Sequence, residues 1–370
     1  MNRSPLTGAA KSEDNVCLPL MDRSYYLDLA RTGLRMPIGA DLVLHEHADP
    51  EGIVLDGRCL GQVLEQAARR YRTPLAIPLM DLRLEKADLL GAFRIPESEV
   101  DTHHLDQPRE LDLAAYRDAP FARRNQAHLD SIRYIASETD LFPVGMAIGP
   151  FSLMTKLMAD PITAIAMAGT GLTAEDDPGI ALAEHALKLA EAAVHRSVRA
   201  QAQAGAKAIL ICEPAANIVY LSPKQIERGS TIFEDFVMQP DLRMLAVCDQ
   251  AGVDLIFHDC GELNAAMVKA FATRLHPVIL SLGSSRRLWE DAAVVPRDVV
   301  LYGNLPTQNF YSDAVVPLGR VDELAGRLAA EMRACGHPHI LGSECDVLHV
   351  PEAAETIRRK VDRMLSFDRI

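Results

Sequence analysis

Val253-Asp-Leu-Ile-Phe-His-Asp-Cys-Gly261 joins an apolar run to a cluster of polar side chains at its end. The run, bounded by Gly252 and Gly261, reads as a buried β-strand. Residues two apart on a strand share a face, so His258 and Cys260 can grip one ion. Cys345, in Gly342-Ser-Glu-Cys-Asp-Val347, is the third candidate ligand. One imidazole and two thiolates make a soft donor set that suits zinc. Three protein ligands leave a fourth position open, as catalytic zinc sites do. Two core cysteines and an ordinary buried histidine account for the same residues, since cysteine often packs as a small hydrophobe.

Seven further apolar runs, at 36–44, 75–80, 144–148, 208–212, 277–282, 299–302 and 340–342, read as strands. They are nearly continuous in apolar residues, as parallel strands buried on both faces are. Helical patterns separate many of them, at 60–71, 174–204, 265–275, 321–335 and 351–367. The clearest is 174–204, with Thr173 as N-cap, Asp176 three residues on, Pro178 in its first turn and Gly205 as its stop. Strands alternating with helices imply an α/β fold with a parallel sheet. Eight strands in 370 residues favour a single-domain (β/α)8 TIM barrel over 23–370, preceded by a flexible N-terminal arm over 1–22. A doubly wound open sheet is the alternative, and it places ligands by the same strand-end rule. The polar, proline-containing stretch 94–123 reads as an insertion or an excursion over the barrel mouth.

The formal net charge is −13 and no basic run stands out, which argues against nucleic acid as a partner. No apolar stretch is long enough for a membrane span, and the first residues lack the apolar core of a leader peptide. The seven cysteines are spread widely and odd in number, so reduced thiols in the cytoplasm are expected. Neither a phosphate-binding glycine loop nor a Gly-x-Ser-x-Gly elbow is present.

Polar residues at strand ends are the other candidates. Glu213, at the tip of the run 208–212, and Asp81, after 75–80, are the expected catalytic carboxylates, able to orient substrate or shuttle a proton. Glu85 and Asn304 are the expected substrate-binding residues. Each has a plainer reading: a helix cap or a salt bridge for the acids, a turn for Asn304. His45 with His47, and His337 with His339, repeat the i, i+2 spacing without a partner cysteine at a strand end.

The order of several segments resembles the uroporphyrinogen decarboxylase superfamily, and within it the zinc-dependent, corrinoid-linked methyltransferases. The segments are Met80-Asp-Leu-Arg-Leu-Glu85, Ile148-Gly-Pro-Phe-Ser152, Ile211-Cys-Glu-Pro-Ala215, His258-Asp-Cys-Gly261, Gly303-Asn-Leu-Pro306 and Ser343-Glu-Cys-Asp346. The resemblance implies that His258, Cys260 and Cys345 hold Zn2+. It also implies that cobalamin arrives free or on a separate corrinoid protein, since the Asp-x-His-x-x-Gly signature of corrinoid modules is absent. The expected partners are that corrinoid protein and a small methylated substrate, with room for a homodimer. The run 277–283 offers no acid as a further ligand, so an open or water-filled fourth position is expected. The implied reaction unloads a methylated donor such as an O-methyl ether onto the corrinoid. A methylcobalamin:thiol methyltransferase and a zinc-free, decarboxylase-like enzyme are the alternatives. The arginine-rich Met-Arg-Gln-Ala-Gly-Arg segment of the decarboxylase branch has no counterpart here.

Overall fold

The computed structural model describes residues 22–367, so all but the last residue of the expected arm lies outside the described residues. Eight strands form the sheet: β1 (Arg35–Ile38), β2 (Leu75–Ala76), β3 (Phe142–Ile148), β4 (Ala208–Cys212), β5 (Asp254–Asp259), β6 (Ile279–Leu282), β7 (Val300–Leu305) and β8 (His339–Asp346). All pairings are parallel, in the order β1-β8-β7-β6-β5-β4-β3-β2. Apolar side chains from every strand meet in one inner cluster, among them Met36, Leu75, Val144, Leu210, Ile256, Ile279, Tyr302 and Ile340. A flat sheet would keep its two edge strands far apart, so this shared interior marks a sheet curled into a (β/α)8 barrel. The open-sheet alternative is thereby set aside.

The period-2 alternation of the strands sorts the core into two layers. In β4, Ala208, Leu210 and Cys212 face the lumen, while Ile209 and Ile211 face the helices. In β5, Ile256 faces the lumen while Leu255 and Phe257 pack outward. The N-terminal end of the barrel is plugged by the helix Ser24–Arg31, which sends Tyr26 and Leu29 into the inner cluster. The Tyr26 hydroxyl donates to the Asp254 carboxylate at 2.6 Å, and Arg23 donates to the carbonyls of Pro277 and Asp298. With one end plugged, chemistry is left to the C-terminal mouth, where barrel enzymes place it.

Several boundaries differ from the sequence expectation. The run 36–44 breaks after Ile38, and Asp41–Leu44 turns into a short helix. Only Leu75–Ala76 of the run 75–80 pairs, and the remainder continues unpaired into the mouth. The long helix starts at Pro178, not near 174. Its cap is Asp177, which accepts from the amides of Gly179 and Ile180, because proline is favoured as the first helical residue. Thr173 and Asp176 do bond to each other, in the turn before the helix. The stretch 94–123 is pinned to this helix by Arg196, which pairs with Asp88, donates to the Arg117 and Ala119 carbonyls and lies over the Phe121 ring. Among the described residues no helix is long and apolar enough to cross a membrane. The six described cysteines are all free.

Candidate metal centre

His258 continues the lumen-facing alternation of β5 and lies fully buried. Its Nδ1 is 2.8 Å from the Ser281 hydroxyl of neighbouring β6. The other ring nitrogen, Nε2, is buried without a hydrogen-bond partner. A buried nitrogen left bare costs about 1–3 kcal/mol, so such an atom calls for an explanation. A serine holding one nitrogen while the other is bare is the arrangement of a metal-bound imidazole.

Cys260 follows β5 by one residue, and Cys345 lies near the end of β8. In the strand order these two strands are three apart, which corresponds to roughly 14 Å in a flat sheet at about 4.8 Å per strand. Curling brings them together: one ligand atom each from His258, Cys260 and Cys345 lie within 4.8 Å of one another. Local irregularity helps. Between Met36 and Ile38 of β1, two steps face four on β8, from Gly342 to Asp346. A bulge of this kind re-aims side chains next to functional sites, and Cys345 sits inside it.

The two thiols interact. The Cys345 thiol is pulled down to about 4, first by its hydrogen bond with Cys260 and then, against burial, by His258. That same bond, together with burial, pushes Cys260 up. The two thiols and the imidazole are thus close enough to act on one another electrostatically. Thiolate is the form in which cysteine binds a metal. These residues fit a zinc ion by donor chemistry, by convergence and by the orphaned nitrogen. Among the described residues no other His, Cys, Asp or Glu group does so. His337 and His339 are engaged by the Val299 and Gly303 carbonyls, and His45 stacks on His349 with ring centroids 4.5 Å apart. Ser281→Ala is expected to weaken zinc retention about 10- to 100-fold against a competing chelator, because the ring loses its orienting partner. Unchanged retention would remove Ser281 from the site.

A cavity of about 540 Å³ opens beside Cys345. It is lined by Met80, Asp81, Lys156, Tyr311, Asp346 and Leu348, among others. Its size suits a small substrate. Met80 and Asp346 bound two of the segments that carry the resemblance, but neither they nor Ser281 has an expected role from the sequence. An isolated methionine, a strand-end aspartate and a mid-strand serine carry no distinguishing pattern, and only their position beside the ligands marks them.

The four expected catalytic and substrate-binding residues separate. Asp81 stands on the cavity wall, where Arg124 donates to its carboxylate at 2.5 Å. Glu213 does not face the cavity. Cys212 points into the lumen, so alternation turns Glu213 outward, where it is fully buried. There it accepts from the amides of Phe151 at 2.9 Å and Ser152 at 2.8 Å, capping the helix Pro150–Leu157, whose own N-cap is Gly149. Burial pushes Glu213 up to about 7, against these hydrogen bonds. Asn304 donates to the carbonyls of Gly283 and Arg286 and thereby ties down the loop after β6.

Glu85 is buried away from the cavity lining and accepts from the Ser197 hydroxyl at 2.7 Å. Burial raises it from 4.5 to about 7. An acid with a raised folded-state pKa favours folding while protonated and loses that contribution as pH climbs. Glu85 should therefore cost on the order of 3 kcal/mol of stability between about pH 4.5 and 7. Glu85→Gln is expected to flatten that part of the stability–pH curve in urea unfolding. Parallel curves for both proteins would show that Glu85 is not the cause.

Residues 52–364 match the family described as Uroporphyrinogen decarboxylase (URO-D). No curated protein matches the chain. Among solved structures, the chain is similar to a methyltransferase from Methanosarcina mazei. The TM-score is 0.60 at 16% identity, covering 92% of this chain and 98% of that one. It is also similar to a 3-keto-D-glucoside 4-epimerase from E. coli. There the TM-score is 0.33 at 14% identity, covering 64% of this chain and 93% of that one. The first likeness supports the fold.

Proposed function

Because the chain belongs to the uroporphyrinogen decarboxylase family, we propose that it is a zinc-dependent methyltransferase. On this reading a methyl group moves between a small methylated donor, an O-methyl ether in the first instance, and a corrinoid carried by a separate protein. The observation that carries the reading is the buried, unpartnered Nε2 of His258 beside the Cys260 and Cys345 sulfurs. His258, Cys260 and Cys345 would hold the ion, and Ser281 would keep the imidazole turned toward it. Bound zinc supplies a Lewis acid that makes the donor's oxygen a better leaving group.

The protein's own contribution is placement. The cavity beside Cys345 takes a small molecule and presents it to the ligand cluster. Asp81, held by Arg124, gives that wall a fixed acceptor for a substrate hydroxyl or amide. Glu213 and Asn304 act at one remove: Glu213 fixes the helix after β3, and Asn304 the loop after β6.

The test pairs metal analysis with a donor panel. The purified chain is assayed for zinc, then mixed with cob(I)alamin and a series of O-methyl, S-methyl and N-methyl compounds. Appearance of the methylcobalamin spectrum with a zinc-loaded chain supports the proposal. Methyl transfer from methylcobalamin to a thiol, with no reaction from any methylated donor, would favour the thiol methyltransferase instead. A folded chain that binds no zinc would overturn the metal reading and leave the decarboxylase-like alternative.

A further inference from the structure

We propose that the thioether of Met80 is the fourth ligand of the metal held by His258, Cys260 and Cys345. The inference rests on the metal reading above and replaces its open fourth position. Met80 lies in the unpaired stretch after β2, whose strand has only two paired residues. The chain is thereby released from the sheet early enough to lean into the mouth. Met80 Sδ lies 3.8 Å from Cys345 Sγ. Two sulfurs bound to one tetrahedral ion at about 2.3 Å each stand about 3.8 Å apart. Ordinary packing also permits such a contact, so the distance gains force from what surrounds it. Met80 lines the cavity beside Cys345, on the side from which a substrate would approach.

Charge and softness favour the thioether over the alternatives. A divalent cation with two thiolates and a neutral imidazole is already balanced, and a neutral sulfur keeps it so. A carboxylate would leave an excess negative charge in a largely enclosed site, which is costly. Asp81, the next residue, is already engaged by Arg124. Thioether sulfur belongs with thiolate among the soft ligands that zinc accepts. Being a weak, neutral donor on a flexible side chain, it can also yield its place to an incoming substrate.

The experiment uses the full chain loaded with zinc, without substrate, and X-ray absorption at the zinc edge. Met80→Leu conserves volume and apolar character, so the fold should persist. The expected result is three sulfurs and one nitrogen on zinc in the wild type. The variant should show two sulfurs, with an oxygen taking the vacated position and zinc still bound. Zinc retention against a chelator should weaken on the order of tenfold in the variant. Two sulfurs in both proteins would overturn the thioether ligand while leaving the His258, Cys260 and Cys345 site intact. A wild-type chain that takes up no zinc would overturn the underlying metal reading, and the thioether ligand with it.

Discussion

Cys260→Ala is expected to take zinc from about one ion per chain to almost none, and methyl transfer should vanish with it. The ligand atoms of His258, Cys260 and Cys345 lie within 4.8 Å of one another, and a bound ion would let both cysteines act as thiolates. Removing one thiolate of two leaves His258 and Cys345 as the strong donors, which is too few to hold zinc against a chelator. The substitution should not unfold the chain. Cys260 is only half-buried and stands one residue beyond β5, where it supports no ladder. Metal content and circular dichroism measured together decide the matter. A folded Cys260→Ala chain that keeps its full complement of zinc would exclude Cys260 as a ligand.

Gly342→Ala should be the most damaging single methyl group in the barrel wall. A Cβ on Gly342 would stand 2.3 Å from both the Cζ and the Oη of Tyr302. Tyr302 cannot retreat easily. It is 2% exposed, it belongs to the inner cluster, and its hydroxyl donates to the Met36 carbonyl at 2.8 Å. The Ser343 amide donates to that same hydroxyl at 3.2 Å. Relief of the clash would require moving a large ring off-rotamer or shifting β8, and would loosen the tie between β7 and β1. Overpacking of this kind costs about 1–3 kcal/mol, and a buried hydrogen bond lost with it about 1 kcal/mol more. The expected loss is therefore about 2–4 kcal/mol in denaturant unfolding. Because Cys345 lies three residues on, zinc retention should weaken as well. A loss below about 0.5 kcal/mol would mean that the ring has room to move.

The placement of Glu213 shows where reading along a single strand fails. A carboxylate at a strand tip looks like an active-site acid, and the run 208–212 gives no sign of which face is the lumen. All five residues of β4 are buried, because a barrel strand packs on both sides. Only the inner cluster, which includes Cys212, fixes the parity that turns Glu213 toward the helices. Gly149 then makes room for it, since a Cβ there would lie 2.1 Å from the Glu213 carboxyl carbon. Asp81 fared differently. It does reach the cavity, and what the sequence hid was Arg124, whose side chain comes from a helix 43 residues away.

Local pattern was enough to locate all eight strands and five of the helices, though not Arg123–Glu138 or Gln239–Ala251, and to pair His258 with Cys260. Those features depend on short-range periodicities, two residues for a strand and about 3.6 for a helix, which any chain displays in its own order. Convergence was a different matter. Cys345 joins that pair because the sheet curls, β8 bulges beside Ile38, and strands three apart in the ladder meet at the mouth. Met80 comes within reach of Cys345 by the same closure. No periodicity in the chain encodes a distance between residues so far apart. That distance is set by how the whole barrel packs around its lumen.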